Sequence, residues 1–144
     1  MDRRVQEFLK THRISVLAIS QSDGAVHAAA LHYSFATDIS FFFITEKESE
    51  KCKSLLDGST RAAAVVIGLS EEEFVTFQAD GQVVMITDVK HPGWDVYIDK
   101  YPTRSRAKLS EDYVLLQFVP SVWKYQDIKT DPKTKITSGG LTFP

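Results

Sequence analysis

The chain alternates short apolar runs with polar, turn-rich stretches, and the apolar spacing changes along it. Val5, Phe8, Leu9 and His12 recur at helical spacing, so the segment from about Asp2 to Thr11 reads as a short amphipathic helix. The period then shortens. "ISVLAIS" is β-branched and apolar, and the Asp23-Gly24 pair behind it signals a hairpin whose returning strand is "AVHAAALHYS". "DISFFFIT" reads as a third strand, and its unbroken aromatic run predicts burial on both faces. Cys52, Leu55 and Leu56 then make one apolar helix face, closed by Gly58 where a C-terminal glycine belongs.

"RAAAVVIGL" resumes strand character, and a second Asp-Gly pair inside "EFVTFQADGQVVMIT" (Asp80-Gly81) predicts either another hairpin or one long bulged strand. Trp94, Tyr97, Ile98 and Tyr101 form a helical stripe between Pro92 and Pro102. "DYVLLQFVPSVWKYQDI" is the last long strand region, and Pro120 at its middle demands an edge, a bulge or a break. The tail from about residue 127 is turn-rich and expected to be irregular. Some six strands with three short helices between them make the chain mainly β. Tight turns between consecutive strands favour an antiparallel barrel, which also removes exposed apolar edges.

Composition narrows the function classes. A length of 144 residues with 43% hydrophobic content suits one domain spanning 1–144, able to bury a core without metal or disulfide. Net charge is −2 with both signs interspersed, so no basic face marks a nucleic-acid partner. The single cysteine, Cys52, allows no internal disulfide and suits a reducing compartment. "MDRRVQEFLKTHR" lacks the apolar core of a signal peptide, and no apolar run approaches the roughly 20 residues a membrane helix needs. A cytoplasmic protein with no membrane partner is expected.

The segment "TEKESEKCK" holds the most suggestive chemistry. A helix start there would offer free N–H groups, with Thr45, Ser49 and Lys51 adding two hydroxyls and a cation for a phosphate. The plain reading is a capped, solvated helix start, with Glu46, Glu48 and Glu50 in water, and on chemistry alone it leads because those acids repel an anion. His27 and His32 lie five apart on one predicted strand and point to opposite faces, so they cannot easily share a metal. HExxH, CxxC, GxSxG, GxGxxG and P-loop patterns are all missing. Cys52 reads as a buried, inert thiol. Trp94, Tyr97 and Tyr101, with Trp123 and Tyr125, fit core or dimer interface better than a pocket for a flat ring. Lys100, Arg104, Arg106 and Lys108 read as a solvated basic loop, with anion binding the minority alternative.

The order of these pieces resembles the pyridoxamine 5′-phosphate oxidase-like flavoproteins, the FMN-binding split β-barrel family. The resemblance rests on an apolar strand, a DG turn, a second strand of small residues, a strand ending in Thr45, Ser49-x-Lys51 at a helix start, an Ala/Val-rich strand and a strand reaching Gly81. It covers about Leu9 to Ile86, and the "DKYP" and "VWKYQDI" segments look like the later part of small members of that family. It implies an antiparallel FMN-binding split barrel that dimerises, with two cofactor sites between subunits. His27, Ala28, Ala29 and Ala30 would lie along the flavin ring, Thr45, Ser49 and Lys51 would hold its phosphate, and Thr76 would sit near the polar ring edge. Trp123 and the segment from Tyr101 to Arg106 would reach the cofactor from the second chain.

Such a protein implies oxidoreduction of a small molecule by electron or hydride transfer. The alternative on the same scaffold is a non-enzymatic binding module for haem, a deazaflavin or another planar ligand, with His27 or His32 as the haem ligand. Two departures stand out. Where members that bind FMN tightly often carry arginine beside the phosphate lysine, this chain has Glu50, which removes a bidentate donor and adds repulsion. The chain also ends "SGGLTFP" rather than in a Trp followed by an Arg-Leu-rich close, so vitamin B6 oxidation is not expected.

Overall fold

A computed structural model describes residues 1–68, 74–130 and 133–138. Its chain order is α1 (Arg3–Thr11), β1 (Ile14–Ser20), β2 (Val26–His32), β3 (Ser34–Ala36), β4 (Ser40–Glu46), a 3-10 helix (Glu50–Leu55), β5 (Arg61–Ile67), β6 (Val75–Ile86), α2 (Gly93–Lys100), a second 3-10 helix (Pro102–Leu109), β7 (Tyr113–Asp127) and β8 (Thr134–Thr137). All the strand pairs are antiparallel. The sheet runs β2-β1-β5-β6-β7-β4-β3, with β8 added to β7. It curls into a half-barrel, the antiparallel split barrel expected. The chain crosses from one edge strand to the other through Tyr33 alone, and the barrel stays open between β2 and β4.

Both faces of β4 are used. Phe41 and Phe43 point into the barrel with Leu17, Ile19, Val65, Phe77 and Phe118. Phe42 and Ile44 point outward and pack under α2 with Trp94, Tyr97 and Leu115. The unbroken aromatic run therefore serves two cores, each buried ring contributing about 1.5–3 kcal/mol from apolar burial. α2 can lie this close because Gly93 has no side chain. A Cβ there would meet a ring carbon of Phe42 at 2.4 Å.

The second Asp-Gly pair resolves as a bulge. β6 is one 12-residue strand whose register shifts between Asp80 and Gly81. Gly81 pairs with Pro120, and a Cβ on Gly81 would sit 2.1 Å from the Val119 carbonyl oxygen. The proline that cannot donate to a ladder thus falls at the one irregular place on its strand.

Three local readings need correction. Leu56 is 55% exposed, because Glu50–Leu55 winds as a 3-10 helix that stacks only Cys52 and Leu55, three apart, against the core. The basic stretch after Tyr101 is a 3-10 helix, not a loop. The tail is not irregular throughout: Thr134–Thr137 adds β8 to β7, and the Ser138 hydroxyl accepts the Trp123 N–H at 3.0 Å. The rest of that expectation, at residues 131–132 and 139–144, lies outside the described residues. No helix among the described residues is long and apolar enough to cross a membrane.

Candidate functional site

The turn after β4 is organised by one backbone oxygen. The Glu46 carbonyl accepts the Ser49 N–H at 3.2 Å and the Ser49 hydroxyl at 2.8 Å, and the Cys52 thiol reaches it at 3.6 Å. Ser49 therefore caps no helix N–H with its side chain. To donate to a phosphate it must give up its bond to Glu46, since a phosphate only accepts. Thr45 is buried opposite Val114 of β7, and its hydroxyl has no hydrogen-bond partner among the described residues.

Charge on the first 3-10 helix sorts itself locally. Glu50 pairs with Lys53 at 2.9 Å, one turn on. That ammonium holds the Glu50 carboxyl below the ordinary carboxylate range, and the His27 imidazole acts in the same direction. Half-buried Lys51 has no acidic partner among the described residues. The acid at position 50 thus carries its own counter-ion. His27 adds a second signal. Its Nδ1 is buried without any hydrogen-bond partner, a costly state for a polar atom unless a ligand or water completes it. β2, which carries this unsatisfied imidazole, packs against the 3-10 helix that carries Lys51, and the pair of elements suits a phosphate-bearing ligand.

The four residues expected along the ring divide by strand period. His27 and Ala29 are half-buried and share the inner face with Leu31, whereas Ala28 and Ala30 are exposed on the outer face with Val26 and His32. A planar ligand can therefore meet all four only along the backbone edge of β2, which is an edge of the sheet. On the outer face Ala28 and Ala30 continue into Ala18 and Val16 of β1, and these into Ala64 and Val66 of β5. Small apolar residues so tile three neighbouring strands, with Val26 69% exposed at the margin.

Two further residues expected at the cofactor sit on other strands of the same chain. Thr76 is on β6, three strands from β2, a distance of about 14 Å at ordinary strand spacing. Trp123 is a core residue of the single chain, 7% exposed and stacked on Phe77 at 5.8 Å. Of the basic stretch, Lys108 pairs with Asp95 at 3.4 Å, Arg104 lies over the Tyr113 ring at 5.3 Å, and Lys100 donates to the His12 carbonyl. Cys52 is buried, and burial raises its thiol above the usual range, as an inert thiol requires. No cluster of metal-ligating side chains occurs among the described residues.

Sequence reasoning missed Lys53 and Arg13. The first was legible as an acid–base pair three apart. The second stands alone in the sequence and gains meaning only from its neighbours in space.

Similarity to known proteins agrees with this fold. No curated protein matches the chain. The general stress protein 26 from Bacillus anthracis str. Sterne superposes with a TM-score of 0.64 at 17% identity, over 92% of this chain and 95% of that one. A pyridoxamine 5′-phosphate oxidase-related, FMN-binding protein from Nostoc punctiforme PCC 73102 gives 0.62 at 16% identity, over 87% and 79%. The heme storage protein HutZ from Vibrio cholerae gives 0.63 at 11% identity, over 83% and 89%. The model of the pyridoxamine 5′-phosphate oxidase family matches residues 1–127, and the chain, with its open antiparallel barrel and small-residue edge strand, belongs to that family.

Proposed function

We propose that the chain is an FMN-binding flavoprotein, a homodimeric cytoplasmic oxidoreductase acting on a small molecule. The observation that carries this reading is the buried, unpartnered His27 Nδ1 beside a 3-10 helix whose Lys51 has no acidic partner among the described residues. Lys51 and the Thr45 hydroxyl would hold the phosphate, with Ser49 joining by releasing Glu46. The backbone edge of β2 would run along the ring, where alanines keep the approach open. When bound, FMN supplies hydride or single-electron transfer, and the protein positions the substrate. That division of labour requires no covalent nucleophile from the protein. Membership of the family and the FMN-binding neighbour support the choice of cofactor.

The dimer rests on the outer face of β1, β2 and β5. An exposed apolar surface tiled by small residues is a self-complementary patch of the kind two-fold dimers bury. Pairing there would place a second chain against Ala28 and Ala30, at the proposed ring site.

The test is an absorption spectrum of the purified protein after adding FMN and desalting. A retained flavin spectrum that is lost in Lys51→Ala and His27→Ala supports the reading, and FMN that washes away from the parent protein refutes it. A second reading, a binding module for haem, is favoured by the same unpartnered His27 nitrogen and by the heme storage neighbour. A Soret band abolished by His27→Ala, with no flavin retained, would select it. A deazaflavin retained in place of FMN would select the third ligand on this scaffold.

A further inference from the structure

Three of the nine large apolar side chains that stand exposed among the described residues gather at one open groove of about 780 Å³. Leu56 follows the first 3-10 helix, Val89 lies in the turn between β6 and α2, and Leu109 ends the second 3-10 helix at 85% exposure. Single apolar side chains on a surface are ordinary. A contiguous set drawn from three elements marks a place where another molecule lies.

Hydrogen bonds hold all three in position. The Asp88 carbonyl accepts the His91 N–H at 3.1 Å and the Trp94 indole N–H at 3.1 Å, which ties the turn carrying Val89 to a buried ring. Around Leu109, the carbonyl of buried Ala107 accepts the Ser110 N–H at 3.2 Å, and the Ser110 hydroxyl accepts the Asp112 N–H at 3.2 Å. Leu56 follows buried Leu55, whose carbonyl accepts the Gly58 N–H at 3.1 Å. The groove is therefore preformed.

One end of it is acidic. There it continues into a smaller cavity of about 280 Å³ lined by Glu46, Lys47, Glu48, Glu111, Asp112 and Tyr113. None of these four carboxylates pairs with a base among the described residues. The Lys47 N–H donates to the Asp112 carbonyl at 2.9 Å, which fixes the acids after β4 beside those before β7. Lys108, the other base at the groove, already pairs with Asp95 at 3.4 Å. An apolar trough with carboxylates at one end complements a helix that carries an apolar stripe and basic side chains. The basic helix of this chain, α1, is committed elsewhere, because its Val5, Phe8 and Leu9 are buried in the barrel core.

We propose that this groove docks a basic amphipathic helix of a partner protein. Its apolar stripe covers Leu56, Val89 and Leu109, and its lysines or arginines meet Glu48, Glu111 and Asp112. His27, Thr45, Ser49 and Lys51 line neither cavity, and no residue of β1, β2 or β5 does. The inference therefore rests on neither the flavin reading nor the proposed dimer face.

The probe is a synthetic amphipathic helix of leucine and lysine, titrated into the full chain by fluorescence anisotropy beside a leucine and glutamate peptide of the same pattern. The basic peptide should bind at least about tenfold more tightly than the acidic one. Leu56→Ser with Leu109→Ser should weaken it by about tenfold, and Glu111→Gln with Asp112→Asn should weaken it severalfold and flatten its salt dependence. Ile128→Ser, at an exposed apolar position away from the groove, should leave binding unchanged. Equal binding of the two peptides, or unchanged binding in the leucine variant, overturns the proposal. Loss of a parent dimer in that variant on light scattering would assign the groove to a second copy and overturn the partner helix. FMN retention is measured on the same variants: loss in the leucine variant would make the groove part of the cofactor site and refute it as a docking surface. Peptide binding by a protein that retains no flavin would leave this proposal standing while the flavoprotein reading falls.

Discussion

Glu50 and Lys53 close an ion pair of 2.9 Å across one turn of the first 3-10 helix. The pair alters what the acid at position 50 means. Where an arginine would have bound phosphate, an acid stands, but its charge is met by its own neighbour and Lys51 is left without an acidic partner among the described residues. Lys53→Met should therefore weaken FMN binding by about threefold to tenfold by uncovering Glu50, and Glu50→Arg should strengthen it by about tenfold. Fluorescence titration of FMN checks both. Equal affinity in the parent and both variants would mean the phosphate lies elsewhere.

The close approach of Gly81 to Val119 predicts a backbone clash. Gly81→Ala puts a methyl against a carbonyl oxygen on the neighbouring strand, where neither side can rotate away. A loss of about 2–3 kcal/mol is expected, read as a lower urea midpoint at unchanged slope. Gly24→Ala is the control for φ alone, since a Cβ there meets nothing within 4 Å although its φ is +87°. It should cost about 1 kcal/mol.

The outer face of β1, β2 and β5 should respond to charge. Ala28→Arg or Ala64→Arg places a guanidinium in the middle of the small apolar surface without touching the barrel interior. Either change should turn a dimer into a monomer by light scattering, with the circular dichroism spectrum unaltered. A monomeric parent protein would contradict the proposed assembly.

Lys100 should leave a mark on alkaline stability. Its ammonium is half-buried, donates to the His12 carbonyl and lies 4.3 Å from the Tyr33 ring centre. Burial, aided by Arg13, pulls it from 10.5 down to about 8. The unfolded chain therefore binds more protons than the folded one between about pH 8 and 10.5, and stability gains from this group as pH rises through that window. The neighbouring phenols act in the opposite sense at the top of this window. Burial pushes Tyr101 up to about 12 and Tyr33 higher still, so the unfolded chain gives up those protons first, near pH 10, and the Lys100 gain is read below that. The other charged neighbours are Lys10 of α1, Arg13 before β1 and Asp99 of α2. Urea midpoints for Lys100→Met should lack the alkaline rise shown by the parent protein. Partial exposure of the amine keeps the difference small.

Much of the fold was legible because local periodicity maps directly onto burial. The helix at Arg3–Thr11, the strand Ile14–Ser20, the glycine with positive φ at Gly58 and the double burial of Phe41 to Ile44 all follow from spacing read a few residues at a time. Leu56 was misplaced because apolar spacing alone does not distinguish an α-helix from a 3-10 helix, and the two turn different residues inward. β3 and β8 escaped notice because three and four residues carry too little alternation, and their ladders are completed by distant partners.

The candidate site divides along the same line. The identities at β2, Thr45, Ser49 and Lys51, and their order along the chain, were written in the sequence and sufficed to place the chain beside its family. Strand period also separates Ala28 and Ala30 from His27 and Ala29 once the strand is known. Only the tertiary structure decided that Ser49 spans back to Glu46, that Trp123 turns into the core, and that His27 is left with an unsatisfied nitrogen. Only it brought Leu56, Val89 and Leu109 to one groove. Local pattern sets which residues can be buried, because that is a matter of a few neighbours along one strand or helix. Which charges and hydroxyls converge depends on how the curled sheet closes, and distant parts of the chain settle that together.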